Sequence, residues 1–296
     1  MTPKRSVAIV GAGSFAGSLA IALRESGHAI TEIVSRDLPP SRQRGRRLAA
    51  KVTARATTAS TAALGARVLW FCVPDRAIRS AAQTFATRAL GEVRFAFHSS
   101  GALGSRELMA LRRRGVAVAS VHPLMTFVPG ARPSLAGVPF ALEGDAAATR
   151  MARRIVRDLG GESFALPASR KAAYHAWATL TSPLFLAFLV TLEEAARAAG
   201  LTRKDSRRKS LPIIRQTLEN YSRLGPAHSF SGPIIRGDVQ TVAKHLAVLR
   251  KRPAAREVYV ALARAALRNL PARNRGDIRR LLQSLTCGHQ HTLFQT

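Results

Sequence analysis

The chain has 296 residues, 47% of them hydrophobic, so it is long enough for two ordinary domains and too apolar for a disordered protein. Lys and Arg number 46 against 17 Asp and Glu, and this formal net charge of +29 attracts polyanions. The basic residues are spread along the chain without interleaved aromatics, which favours an anionic small ligand; specific nucleic-acid binding is the weaker alternative. Two cysteines, Cys72 and Cys287, give neither a disulfide framework nor metal-ligand spacing, and we predict no metal site.

Targeting signals are the next feature that the sequence addresses. The opening MTPKRSVAIVGAG is too short and too interrupted by glycine for a signal peptide. The longest uncharged run, residues 176–192, contains Pro183 and falls short of a comfortable membrane span. We therefore expect a buried helix there, no membrane association and a cytoplasmic protein.

In the first half of the chain, short apolar runs alternate with helical spacing. The predicted strands are Ser6–Val10, Ala29–Ser35, Ala66–Val73, Val93–His98, Val116–Val121, Val138–Leu142 and Glu162–Leu166. The predicted helices are Phe15–Glu25, Gln43–Arg55, Asp75–Thr87, Ser105–Arg114 and Ala146–Leu159, with a proline-containing loop at Asp37–Ser41. This alternation predicts an α/β fold of Rossmann type, a mainly parallel sheet with helices on both faces.

After Pro167 nearly all periodicity is helical. The predicted helices are Ala172–Ala199, broken at Pro183, then Asp205–Arg223, Val239–Arg250, Ala254–Asn269 and Asp277–Ser284. The sequence therefore predicts two domains, a dinucleotide-binding domain over residues 1–168 and an all-α domain for substrate and dimerisation over residues 169–296.

A glycine-rich turn joins the first predicted strand to the first predicted helix. Its sequence is Gly11-Ala12-Gly13-Ser14-Phe15-Ala16-Gly17. Gly11 permits the tight turn, Gly13 lets the backbone approach a diphosphate, and small Ala16 packs the helix close to the strand. The helix then directs N–H groups at the phosphates. The predicted dinucleotide contacts here are Gly11, Gly13, Ser14, Phe15 and Ala16; the alternative is a glycine turn that binds no cofactor.

The end of the second strand selects the cofactor. A carboxylate there would favour NAD, but the sequence has Ser35-Arg36, and a guanidinium beside a hydroxyl suits a 2′-phosphate. Asp37 is the contrary signal. We predict that Ser35 and Arg36 bind NADP(H), with NAD(H) as the less favoured cofactor and a deazaflavin also compatible with the sequence.

Polar groups follow three further strands, at the sheet edge where ligands bind in open α/β folds. Val73, Pro74 and Asp75 are predicted to line the dinucleotide site. His98, Ser100 and His122 are predicted to move a proton or orient substrate. Structural alternatives exist for each, since Asp75 suits a helix start, His98 a core position, Ser100 a turn and His122 a pre-proline loop.

The second half adds its own polar candidates. Lys171 and His175 share one helix face at i, i+4 spacing and are predicted to shuttle the proton that accompanies hydride transfer. Ser182, Arg236 and Asp238 are predicted substrate contacts, with Arg236 clamping a carboxylate or phosphate. The alternative is an Arg236–Asp238 ion pair that fixes the loop before a helix capped by Asp238.

Six segments together resemble a known group of proteins. In chain order they are VAIVGAGSFAGSLA, FCVPDRAI, HSSGAL, SVHPLMTF, KAAYHAWATLTSP and FSGPIIRGDVQTVAKHL. The resemblance is to bacterial two-domain proteins with a Rossmann-like domain and a helical domain of unknown function, assigned as NADP-dependent oxidoreductases. More distantly, the layout is similar to ketopantoate reductase, pyrroline-5-carboxylate reductase and the β-hydroxyacid dehydrogenases.

This resemblance implies a homodimer built through the helical domain and a catalytic role for Lys171. Pro183 and Met125 depart from the pattern, which has Asn and Gln at these two places. We expect an NADP(H)-dependent oxidoreductase that acts on a small, anionic carbonyl, imine or hydroxy compound. The alternative is a non-catalytic dinucleotide sensor or partner-binding protein on a reductase scaffold, because fold alone does not decide function.

Overall fold

Short apolar runs bounded by glycine or proline form one eight-stranded sheet in this computed structural model, which describes residues 4–287. Its strands are β1 (Ser6–Val10), β2 (Ala29–Ser35), β3 (Arg55–Thr58), β4 (Val68–Phe71), β5 (Phe95–His98), β6 (Ala117–Pro123), β7 (Pro139–Gly144) and β8 (Glu162–Ala165). The spatial order is β3-β2-β1-β4-β5-β6-β7-β8, and β6–β7 is the single antiparallel pairing in it. The strand order reverses between β1 and β4, which opens a crevice at their carboxyl ends.

Helices cover both faces of this sheet. They are α1 (Ser14–Glu25), α2 (Pro39–Lys51), α3 (Asp75–Ala86), α4 (Met109–Arg112) and α5 (Ala146–Asp158). Successive side chains of a strand point to opposite faces of the sheet. In β4, Trp70 therefore packs into the core on one face, and Leu69 and Phe71 pack into the core on the other. Both faces are thus apolar and covered, and the predicted Rossmann-type α/β class is confirmed.

Two predictions around α2 are wrong. Pro39 and Pro40 begin the helix instead of forming a loop, because proline lacks only an N–H that the first helical turn leaves unpaired. The helix ends at Lys51, not Arg55, and residues 55–58 form strand β3. This short strand is paired with β2, and the Arg55 guanidinium donates to the buried carboxylate of Glu32.

The chain divides into two compact units, residues up to Leu180 and residues from Thr181. Helix α6 (Lys171–Thr181) ends the first unit, and Pro183 opens the next helix, so the predicted break at this proline is confirmed. The second unit contains α7 (Pro183–Arg197), α8 (Arg203–Ser229), α9 (Pro233–Arg236), α10 (Val239–Val248), α11 (Pro253–Asn269) and α12 (Arg275–Cys287). Helix α8 is kinked at Gly225, whose φ is 74°. The predicted domain boundary after residue 168 falls inside the first unit and stays a prediction.

The core of the second unit is small and comes from α10, α11 and α12. Its buried residues are Val242, Leu246, Ala263, Leu267, Ile278 and Leu282. Helices α7 and α8 instead leave large apolar side chains exposed; they are Leu184, Leu186, Val190, Leu211, Ile213, Leu218, Tyr221 and Leu224. We call these eight side chains the α7–α8 apolar surface.

The expectation of a buried helix over residues 176–192 is therefore wrong. Residues 168–197 are apolar and long enough to cross a membrane by length and composition, with a mean hydropathy of 1.4, yet none of their most apolar window is buried. The apolar composition of this stretch shows that something can cover it, but it does not show that the rest of the chain does so. The stretch is also broken into α6 and α7 at Ser182, whose ψ of −74° is paired with a φ of −125°.

Candidate functional site

The turn between β1 and α1 has the backbone geometry that the sequence predicts. Gly11 has a φ of 116°, and a Cβ atom there would overlap the carbonyl oxygen of Cys72. Its N–H donates to the carbonyl of Val34 at 2.8 Å, so the first glycine is required by the close approach of three strands. Added Cβ atoms on Gly13 and Gly17 would meet nothing within 4 Å. The space beside Gly13, the second glycine of the turn, is thus open.

These residues fit the diphosphate of a dinucleotide. Helix α1 begins at Ser14 with no acidic residue in its first turn and no side-chain cap. The N–H groups of that turn therefore remain available to an anion, and the helix dipole favours negative charge there.

Charges at the end of β2 are arranged in favour of a second anion. Asp37 forms an ion pair with Arg42 at 3.1 Å. Arg36 is exposed and has no ion pair among residues 4–284, while Ser35 is buried and its hydroxyl donates to the carbonyl of Thr57 at 3.4 Å. The negative charge of Asp37, which would disfavour a phosphate nearby, is thus neutralised by Arg42.

Lys171, at the start of α6, is the centre of a polar cluster inside the first unit. Its side chain is buried, with the residue only 2% exposed. The ammonium donates to the hydroxyl of Ser120 at 2.7 Å and to the carbonyl of Ser100 at 3.2 Å. Burial lowers the pKa of Lys171 to about 8, against the opposing pull of Glu143 and Asp75. A proton on Lys171 is therefore exchangeable near neutral pH.

The turn after β5 presents the Ser100 carbonyl. The Ser100 hydroxyl donates to the Asp75 carboxylate at 2.7 Å and accepts from the backbone N–H of Leu103 at 2.9 Å. His98 is fully buried; its Nδ1 accepts from the backbone N–H of Ser100 at 3.2 Å, and its Nε2 donates to the carbonyl of Gly104 at 3.0 Å. Burial lowers the pKa of His98 to about 4. Neutral His98 thus uses both ring nitrogens to hold the turn.

His122 lies on the other side of this turn. Burial is the main cause that lowers the pKa of His122 to about 4, with the Lys171 charge second, and burial raises the pKa of Tyr174 to about 12. Tyr174 therefore keeps its proton, and its hydroxyl forms a hydrogen bond with Nδ1 of His122 at 2.8 Å. The Nε2 atom faces Gly101 together with the exposed ring of His175, because a Cβ on Gly101 would lie 2.8 Å from His122 Nε2 and 2.7 Å from His175 Cδ2.

The structure brings together all five residues predicted for catalysis, namely Lys171, His175, His98, Ser100 and His122. The residues predicted for the cofactor follow β1, β2 and β4 at the same carboxyl edge of the sheet. Asp75 also belongs to the polar cluster around Lys171, through Ser100, instead of only beginning α3. Sequence reasoning missed two members, Ser120 and the role of Tyr174. Both carried a signal, since Ser120 is a polar residue in an apolar strand two positions before His122, and Tyr174 shares a helix face with Lys171.

The three residues predicted to contact substrate lie in the second unit, and their role stays a prediction. Asp238 caps α10, since its carboxylate accepts from the N–H of Thr241 at 2.9 Å and from the Thr241 hydroxyl at 2.6 Å. Among residues 4–284 it has no ion pair with Arg236. Ser182 lies between α6 and α7.

Fold and site together define a protein of the Rossmann dinucleotide-binding class with an appended helical region. The family comparison agrees: residues 1–123 match the model of a Rossmann-like domain, and residues 138–266 match that of a domain of unknown function (DUF2520). Two family models therefore match this chain, one over its first part and one over most of the remainder. A comparison with the curated proteins found no match.

Solved structures share this architecture. A Bacteroides fragilis protein assigned as an NADP oxidoreductase is 23% identical with a TM-score of 0.72, over 88% of this chain and 97% of its own. A reductive aminase from Aspergillus terreus in complex with NADPH is 18% identical with a TM-score of 0.60, over 89% and 94%. A pyrroline-5-carboxylate reductase from Coxiella burnetii is 15% identical with a TM-score of 0.57, over 88% and 97%. At these identities the likeness shows a common fold.

Proposed function

We propose that the protein is an NADPH-dependent reductase of small, anionic carbonyl or imine compounds. The observation that carries this proposal is the buried ammonium of Lys171, whose pKa of about 8 makes it a proton donor at the same sheet edge as the open glycine turn. Reductases of such compounds need a hydride and a proton, and a bound NADPH would supply the hydride.

Lys171 gives its proton to the oxygen or nitrogen of the reduced double bond. The substrate gains one hydride and one proton, so a carbonyl becomes an alcohol and an imine an amine, and Lys171 is left as a neutral amine that solvent protonates again. A donor with a pKa near the working pH is the efficient choice for this transfer. His98 and His122 are poor donors at pH 7, because the pKa of each is about 4.

The neighbouring residues position this donor. Ser120 and the carbonyl of Ser100 fix the ammonium, while Asp75 and His98 hold the turn that carries Ser100. His122 directs Nε2 toward the same turn and forms a hydrogen bond with the substrate there. We assign exposed His175 to substrate contact beside it. These roles explain why a buried lysine is retained despite the cost of its burial.

The proposed cofactor is NADPH. The N–H groups at the start of α1 bind its diphosphate, and Arg36 binds the 2′-phosphate, while the predicted contact Ser35 is buried and donates to the carbonyl of Thr57 instead. Support comes from the ion pair between Arg42 and Asp37, while Arg36 has no ion pair among residues 4–284. The complex of the Aspergillus reductive aminase with NADPH adds support by analogy.

We further propose that a second copy of the chain covers the α7–α8 apolar surface, as a cytoplasmic homodimer. Its exposed residues include Ile213 at 68% and Leu186 at 60%, on two neighbouring helices that contribute nothing to the core of the second unit. An apolar surface of this extent on a chain with charge +29 calls for a partner. Sedimentation of the purified protein tests it, and a monomer at micromolar concentration would contradict it.

The central test combines binding and turnover. Thermal unfolding with NADPH, NADH and NADP⁺ measures binding by mass action, and NADPH should give the largest rise in melting temperature. NADPH oxidation is then followed with a panel of keto acids and cyclic imino acids, for the wild type and for Lys171→Met. Lysine-dependent turnover supports the proposal. Stabilisation by NADPH with no turnover on the panel would favour the dinucleotide sensor, and no stabilisation by any dinucleotide would contradict both.

A further inference from the structure

The loop between β6 and β7 forms a second wall beside the glycine turn. A cavity of about 450 Å³ is lined on one side by the start of α1, at Gly13, Ser14, Gly17 and Ser18. Its other side is lined by Val128, Gly130, Ala131 and Arg132. The open space beside Gly13 is therefore bounded by two segments far apart in sequence.

This loop is fixed at both ends. The ring of Phe127 packs on that of Phe15 with centroids 4.9 Å apart, and Leu135 is 2% exposed within the core that contains α1. Between these anchors, the N–H of Ala131 donates to the carbonyl of Val128 at 3.2 Å, and Gly130 has a φ of 86° that turns the chain. Arg132 is thus held beside the start of α1 by backbone structure.

Arg132 carries a charge without a counter-ion in the described part of the chain. It has no hydrogen bond or ion pair among residues 4–284, whereas Arg42, in the first turn of α2, is paired with Asp37. The first turn of α1 has no acidic residue either. Ser18, only 6% exposed, adds a buried hydroxyl oxygen without a partner in the described chain. One cavity therefore combines an unpaired guanidinium with a helix N-terminus, and both favour an anion.

We infer that Arg132 binds the diphosphate of the dinucleotide, so that the β6–β7 loop and the glycine turn hold it from two sides. This inference rests on the proposed cofactor and adds a contact outside the glycine motif. It differs from the role of Arg36, because the diphosphate is common to NADPH and NADH whereas the 2′-phosphate is present only in NADPH.

The test is calorimetric titration of the purified full chain with NADPH and with NADH. Arg132→Ala should weaken both by the same factor, about tenfold for the loss of one charged hydrogen-bonded contact. Arg132→Lys keeps the charge and should lose less. Arg153→Ala, which removes an exposed arginine from α5 outside the cavity, is the charge-matched control and should bind both as the wild type does. Unliganded melting temperatures establish that the variants fold.

Each result decides the inference. Equal loss for both dinucleotides with an unchanged control supports it. A loss confined to NADPH would assign Arg132 to the 2′-phosphate and overturn the diphosphate role. Affinities of Arg132→Ala equal to those of Arg153→Ala would overturn the inference and leave the proposed reductase intact. A wild type that binds neither dinucleotide would overturn the proposed cofactor together with this contact.

Discussion

Replacing Lys171 by methionine tests two effects of this residue, its contribution to turnover and the stability lost by burying its charge. The change keeps a long unbranched side chain and removes the charge from a residue that is 2% exposed. We expect the variant to lose turnover by about 10²–10⁴-fold, the usual contribution of a positioned proton donor. We also expect its free energy of unfolding to have a different pH dependence from that of the wild type.

The magnitude follows from the lowered pKa of Lys171, about 8 in the folded protein, against the ordinary lysine value of about 10.4 in the unfolded chain. Between these two pH values the unfolded chain binds more protons, so raising the pH stabilises the folded wild type. Burying the charged Lys171 lowers the free energy of unfolding by roughly 3 kcal/mol when the pH is below the pKa of Lys171 in the folded protein. This loss of stability shrinks as the pH rises toward the pKa of Lys171 in the unfolded chain. Between pH 7 and pH 9 the wild type should gain roughly 1.4 kcal/mol relative to Lys171→Met.

Urea unfolding at several pH values, followed by tryptophan fluorescence, measures this difference. Both tryptophans, Trp70 and Trp177, lie in the first unit, so the signal reports the part of the chain that contains Lys171. Lys51→Met removes an exposed lysine charge and is the matched control. A wild-type-minus-variant difference that stays constant from pH 7 to pH 9 would refute the buried, titrating ammonium and with it our reason for choosing Lys171 as the donor.

Three other substitutions test the site. Gly13→Ala should have near wild-type stability and bind NADPH more weakly, because its Cβ enters the open space beside the turn. Gly11→Ala should lower the melting temperature, because its Cβ would overlap the Cys72 carbonyl. A Gly13→Ala variant that unfolds at a lower temperature than Gly11→Ala would contradict this geometry. Arg36→Ala should weaken NADPH about tenfold and leave NADH unchanged by titration, since it removes one charged contact to the 2′-phosphate; equal losses would rule this role out. Gly101→Ala should displace the ring of His122 and lower kcat more than it changes the affinity for NADPH, as measured by turnover and titration; unchanged kcat would remove His122 from the mechanism.

Most of the sheet could be predicted because its strands are apolar runs that end at glycine, proline or polar residues. Strand β2 has the predicted bounds, Ala29–Ser35. Strand β3 was missed because its four residues, RATT, have little apolar content, and its structure depends on pairing with β2. The start of α2 was missed because two prolines were interpreted as a loop, although the first helical turn accepts them.

The sequence predicts where the candidate site lies, but not the role of each residue in it. Parallel strands end at one edge, so polar residues after β4, β5 and β6 were expected there. Which of them carries the exchangeable proton depends on burial and tertiary contacts. His98 illustrates this, because only its bonds to Ser100 and Gly104 identify it as a holder of the turn. The Phe127–Phe15 contact that fixes the β6–β7 loop had no sequence signal, since it joins residues more than a hundred positions apart.

The break at Ser182 determines which unit holds the polar cluster around Lys171. It leaves α6 with the sheet, so every hydrogen bond of the Lys171 ammonium closes within one unit. Under the proposed function, substitutions in the helices beyond the break would alter substrate contacts and leave the hydrogen bonds of the Lys171 ammonium unchanged.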